Sequence, residues 1–333
     1  MKRPSLFALV PAALVLAATP LFAANPSTRG PRVVTRPSGS ASTPAAKSVR
    51  IDPAPATAAS YSVQLNIVTR VQGTSFFRTA VDITNNTDAN PVTATFQYCY
   101  TLNNVYQGCT QQETLTLLNF DSFHTDDIVE YLGTLGVLAP GAEDLSFGTF
   151  IVTFDGLPSG NGWEGTVTAR TYNPYVVNGV TVGTLAIAYP GSLFFESSTG
   201  SLVGLIRDTR PAPTVAGALR TNLGITNTDV LGVGPVSVQL TFYDVTENSP
   251  TNGQLVGNAI NINDLQAGEV RQTNNVFDVA AIPDNVTSCI VFADITAGDP
   301  AVTIEGYINI LDGGTQDGAF FEMKCSVGCP SFN

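Results

Sequence analysis

Phe77–Asn85 reads FRTAVDITN, and 142 residues later Leu219–Asn227 reads LRTNLGITN. Each is followed by an alternating run, VTATFQY at Val92–Tyr98 and VSVQLTF at Val236–Phe242. Four further pairs come in the same order. HTDDI from His124 matches QTNNV from Gln272, and FIV at Phe150–Val152 matches CIV at Cys289–Val291. VTARTYN at Val167–Asn173 matches VTIEGYIN at Val302–Asn309, setting Tyr172 against Tyr307, and FFE occurs at Phe194–Glu196 and Phe320–Glu322. Self-similarity in the same order along the chain marks a tandem duplication. The expected units are residues 60–198 and 199–333, joined by a short junction at Ser197–Ser201.

Within a unit the apolar residues alternate: Val63/Leu65/Ile67, Phe77/Thr79/Val81/Ile83, Val92/Ala94/Phe96/Tyr98 and Phe150/Val152/Phe154. A period of two is that of half-buried strands. Asn178-Gly179 predicts a tight hairpin between Tyr175–Val177 and Val180–Ala188. TDDIVEYLGTL is the one helical suggestion, with Thr125 as cap and Ile128, Tyr131 and Leu132 inward. With 30 Gly and 21 Pro in 333 residues as punctuation, the pattern predicts an all-β chain. Its architecture is two tandem Ig-like antiparallel β-sandwiches of about 7–9 strands each. A membrane barrel would need longer strands throughout, with a lipid-facing apolar row.

Upstream, residues 1–23 carry Lys2 and Arg3, an apolar run broken by Pro11 and Pro20, and a small-residue exit at Ala23. That is a secretory signal peptide, and the processed chain is expected to have no membrane span. Residues 24–59 are rich in Pro, Ala, Ser and Thr, with Arg29, Arg32, Arg36, Lys47 and Arg50 against Asp52. The composition reads as a disordered basic linker, or as an arm that touches anionic polymers or the protein's own acidic surface. The whole chain is acidic, with net charge −12, which argues against nucleic acid.

In an exported chain the default reading of cysteine is disulfide. Cys99 and Cys109 bracket a hairpin that turns about Asn104, on the polar face of their strand. Cys289 is expected to pair with Cys325 or Cys329, with a small Cys325–Cys329 loop as the alternative. The [FL]RTxxxITN pair with its following strands resembles uncharacterised secreted tandem β-sandwich (Ig-like) proteins of acidobacterial type. That resemblance covers both units and implies an extracellular or periplasmic protein with no enzymatic role.

Chemistry-bearing residues are few. With one His and one Trp, there is no triad, phosphate loop or zinc spacing. No catalytic residue, metal or cofactor is predicted. Asp126, Asp127 and Glu130 cluster near His124; Asp126 and Asp127 read as helix-start acids and His124 as a surface or turn residue. Arg78 and Arg220 read as structural ion pairs or strand-edge clamps, Thr84-Asn85 and Thr226-Asn227 as turn formers, and Asp312 and Asp317 as a hairpin turn. Trp163 in GNGWEG, with Tyr172 and Tyr175, is the candidate aromatic platform for a saccharide. The expectation is a secreted, non-catalytic structural or interaction protein, extracellular or periplasmic. Its partners would be cell-envelope polysaccharide or protein. A carbohydrate-binding module and a strand-edge assembly subunit are the alternatives.

Overall fold

A computed structural model describes residues 32–34, 59–72, 76–88, 91–159, 164–177, 180–190, 199–208, 217–229, 234–299, 301–314 and 318–325. The chain is all-β. The first run of elements is β1 (Arg32–Val34), β2 (Ala59–Gln72), β3 (Phe76–Asn85), β4 (Val92–Leu102), β5 (Val105–Cys109), β6 (Glu113–Leu117), β7 (Ser122–Thr125), α1 (Ile128–Thr134), β8 (Ser146–Leu157), β9 (Gly165–Val177) and β10 (Val180–Pro190). The second is β11 (Thr199–Ile206), β12 (Leu219–Asn227), β13 (Val236–Asp244), β14 (Ile260–Leu265), β15 (Val270–Thr273), α2 (Val276–Val279), β16 (Ser288–Ala297), β17 (Ile304–Asp312), β18 (Gly318–Glu322) and β19 (Lys324–Cys325).

Both runs build the same two antiparallel layers. In the first unit β6–β4–β8–β2 forms one layer and β7–β3–β9–β10 the other, joined by the short β2–β3 hairpin. In the second, β14–β13–β16–β11 and β15–β12–β17–β18 repeat that order. The inward rows predicted from the alternation are buried: Val63, Leu65, Phe96, Tyr98, Phe150 and Phe154 in one core, Leu202, Leu240, Phe242 and Val291 in the other. Matching irregularities strengthen the equivalence. The pairing of β2 with β8 shifts between Leu65 and Val68, and that of β11 with β16 between Leu202 and Leu205.

The duplicated motif owes its repetition to buried hydrogen bonds. Thr79 Oγ1 accepts from the Thr69 amide and donates to the Thr69 carbonyl, and Thr221 does the same with Ile206. Asn85 Nδ2 donates to the carbonyls of Leu117 and Leu118, while its Oδ1 accepts from the Thr87 amide. Asn227 Nδ2 donates to those of Gly234 and Leu265, and its Oδ1 accepts from the Asp229 amide. The turn chemistry expected of these asparagines is present. Beyond it, each is fully buried and ties its strand to the end of the facing layer.

Register also corrects two matches. Leu65 pairs with Phe150 and Leu202 with Val291, so the counterpart of Phe150 is Val291 and not Cys289. Arg78 pairs with Tyr172 and Arg220 with Leu311, so Tyr172 corresponds to Leu311 and not to Tyr307. Phe320–Glu322 of β18 stands where β10 has Ala188–Pro190, and Phe194–Glu196 lie outside the described residues.

Two other expectations change, and one holds. The helix cap is Asp127, whose side chain accepts from the Glu130 amide; Thr125 instead forms the turn before it. The linker 24–59 contains an element, since Arg32–Val34 pairs antiparallel with the edge strand β7, Arg32 opposite His124. The β9–β10 hairpin forms with Val177 opposite Val180, while Asn178-Gly179 itself lies outside the described residues.

Candidate functional site

Two places gather chemistry: a charged cluster at the start of α1 and a seam between the units. In the cluster, Arg70 at the end of β2 reaches Asp127 Oδ2 at 2.6 Å and Glu130 Oε2 at 3.1 Å. Burial pushes the Asp127 carboxyl up to about 6, and the Arg70 guanidinium only partly offsets this. His124 is held between Asp82 (Nδ1–Oδ1, 2.7 Å) and Asp126 (Nε2–Oδ1, 3.3 Å). Partial burial works against the imidazolium, but these two carboxylates outweigh it and raise the His124 pKa. Arg78 and Arg170 lie over the Tyr172 ring at 5.1 and 4.6 Å, and Tyr172 Oη donates to the Asp126 carbonyl.

Each charge in this cluster has a structural partner, and no hydroxyl or thiol stands beside His124 as a nucleophile among the described contacts. The second unit keeps an arginine at this corner, Arg207 near Asp278, but lacks three of the other ionisable groups. Asp82, His124 and Asp127 correspond to Gly224, Gln272 and Asn275. The Tyr307 ring lies over Gly224, where an added Cβ would fall 2.2 Å from it, and Tyr307 Oη donates to Gln272. The His124 interaction predicts a small pH effect. An imidazolium favoured by folding stabilises fully below the ordinary histidine pKa, and that gain is lost as pH rises through the raised value. Unfolding of wild type and His124→Gln should therefore coincide near about pH 8. Near about pH 5 the wild type should gain, within the ~0–1 kcal/mol of exposed pairs.

The seam is built by the β4–β5 hairpin. Cys99 and Cys109 stand directly opposite and are disulfide-bonded, with Cα atoms 3.8 Å apart. The bridge lies on the outer face of the layer, as its alternation requires. Cys99 is nevertheless buried, because the second unit's Gln266–Glu269 turn covers it. A Cβ on Gly268 would sit 2.9 Å from Cys99 Sγ, and φ there is +72°. Glycine alone suits both conditions. Tyr106 Oη donates to the Ala267 carbonyl at 2.6 Å, and burial, with Glu269 nearby, pushes the phenol up to about 12. Val270 and Tyr307 belong to the first unit's apolar cluster, and Phe320 packs against it.

The remaining candidates do not converge. Tyr172 is buried beneath guanidinium groups and offers no open ring face. Trp163 and the Tyr175 side chain lie outside the described residues. Cys289 is a buried free thiol, pushed up to about 12 by burial and by Asp244. Its expected partner Cys325 pairs with Gly200 on one side of β11, while Cys289 pairs with Leu205 on the other. Five positions along a strand and two strand spacings exceed the ~4.4–6.8 Å Cα separation of a disulfide. Cys329 and Asp317 lie outside the described residues, and Asp312 accepts from the Gly217 and Gly314 amides of its turn.

No family model and no curated protein matches the chain. No helix among the described residues is long and apolar enough to cross a membrane.

Composition hid one pair of residues. Arg70, near the end of β2, and its counterpart Arg207, just after β11, anchor the helical corner of each unit. Arg207 Nη2 donates to the carbonyls of Ile282, Pro283 and Val286 and its guanidinium lies over Phe277. The segments joining them to Arg78 and Arg220 differ in length, so the motif comparison passes over them.

Proposed function

We propose that the chain is a secreted, non-catalytic structural or interaction protein of the bacterial cell envelope or extracellular space, acting through two Ig-like β-sandwich units. The observation that carries this reading is the Cys99–Cys109 bridge lodged against the second unit's turn. A disulfide at a joint between units suits an oxidising compartment. The ionisable cluster supports it too, since its charges are spent on Arg70–Asp127, His124–Asp82 and the Tyr172 stack. Fractionation of producing cells, with thiols alkylated before lysis, tests the reading. The expected result is recovery in the envelope or medium with Cys99 and Cys109 unlabelled. Recovery in the cytoplasm with both labelled would overturn it.

A strand-edge mode of contact has its own support in β1, which pairs with β7 by main-chain hydrogen bonding. The buried Tyr172 speaks against a saccharide platform built on that residue.

A further inference from the structure

The intrachain seam joins a turn of one unit to a sheet face of the other, and each unit carries both parts. The second unit's turn, Gln266–Glu269, covers the first unit's face at Cys99. Among the described residues, the first unit's turn and the second unit's face make no equivalent contact. The first unit's counterpart turn is Leu118–Asp121. In both turns the acidic side chain accepts from the first amide, Asp121 from Leu118 and Glu269 from Gln266. Their backbones then cross to the same motif residue, since the amides of Asn85 and Asn227 donate to the Asp121 and Glu269 carbonyls. Where the covered turn has Gly268, the free one has Phe120, also at positive φ (+54°). A bulky residue in that conformation is strained and needs a reason. Phe120 is 50% exposed and Leu118 53%.

The second unit's face is partly open: Tyr243 is 36% exposed, and Ile290 and Phe292 are half-buried. Cys99 corresponds to Tyr243, and the Cys99–Cys109 pair to Tyr243 and Leu255, which bridge in the same way. Phe292 and Ile290 correspond to Ile151 and Thr149, both buried in the first unit. Tyr243 meets Phe292 edge-on at 5.5 Å, and Leu255 is 61% exposed. Apolar surface thus stands uncovered at the two positions that the repeat marks as seam.

We infer that these surfaces join successive copies of the chain head to tail, the Leu118–Asp121 turn of one copy docking on the Tyr243/Leu255/Phe292 face of the next. Inside the chain the joint is small on small, Gly268 on Cys99. Between copies it is large on large, a ring contact at wider separation. The contact is heterologous, so it does not close as a dimer, and copies that continue without closing a ring form a linear array. The inference deepens the structural reading above by naming its partner. Its failure would leave the compartment result of the alkylation experiment standing.

Light scattering on the purified chain, from micromolar to near-millimolar concentration, tests it. Mass should climb past dimer without a plateau, and more steeply in added salt, which screens the repulsion between acidic bodies. Phe120→Gly removes the ring and relaxes the backbone, so it should unfold no earlier than wild type yet associate about tenfold more weakly or less. Tyr243→Lys should do the same from the other end. Mixing the two variants leaves one intact joint and should give dimer and nothing larger. A wild-type chain that stays monomeric throughout, a dimer that is closed, or variants that assemble like wild type would each overturn the inference.

Discussion

Asn85→Ala and Asn227→Ala should each destabilise the protein by about 3 kcal/mol, because each strands several buried partners at ~1–3 kcal/mol apiece. Asn85 serves the carbonyls of Leu117 and Leu118 and both the amide and hydroxyl of Thr87; Asn227 serves Gly234, Leu265 and Asp229. Both side chains are fully buried, so water cannot replace what is lost. Chemical denaturation followed by tyrosine fluorescence measures the cost. Asn85→Asp separates the two functions of the side chain, since it keeps the acceptor for Thr87 and loses the donor to the carbonyls. A cost below about 1 kcal/mol for the alanine variants would mean that an ordinary turn asparagine is all the motif holds.

Arg207→Ala should cost more, about 3–5 kcal/mol. The Arg207 side chain is only 5% exposed. Removing it leaves the carbonyls of Ile282, Pro283 and Val286 with one donor fewer and opens a space beside Phe277. Arg70→Ala should be milder, because Arg70 is 18% exposed and its loss lets Asp127 take up a proton, whose pKa burial already raises to about 6. The gap between the two variants should widen as pH falls below that value, since protonated Asp127 no longer needs the guanidinium and Arg70→Ala then costs less. Equal costs at all pH values would contradict the assignment of Asp127 as the partner that Arg70 neutralises.

The alternating runs carried the fold class, because a period of two leaves half of each strand apolar and the cores are made of those halves. They could not carry register. A slip by two or four residues keeps every side chain on its own face, so FIV matched CIV two residues out, and Tyr172 matched Tyr307 four residues out. FRTAVDITN and HTDDI held their place because each contains polar residues with a single geometric task. The seam was hidden for a different reason. Alternation says which face Cys99 is on, and only the second unit's Gly268, far along the chain, says that this face is covered. Arg70 and Arg207 escaped because a lone arginine at a strand end carries no pattern until its corner is folded around it.

The Cys99–Cys109 hairpin holds a joint between the two units. Amide hydrogen exchange across Gln266–Arg271, in the oxidised chain and after reduction, tests it most directly. Reduction should speed exchange in that turn of the second unit while leaving the β13–β16 core of the same unit protected, because the hairpin that covers the turn loses its clip. Unchanged exchange at Gln266–Arg271 after complete reduction would show that the bridge does not hold the seam, and would contradict the account.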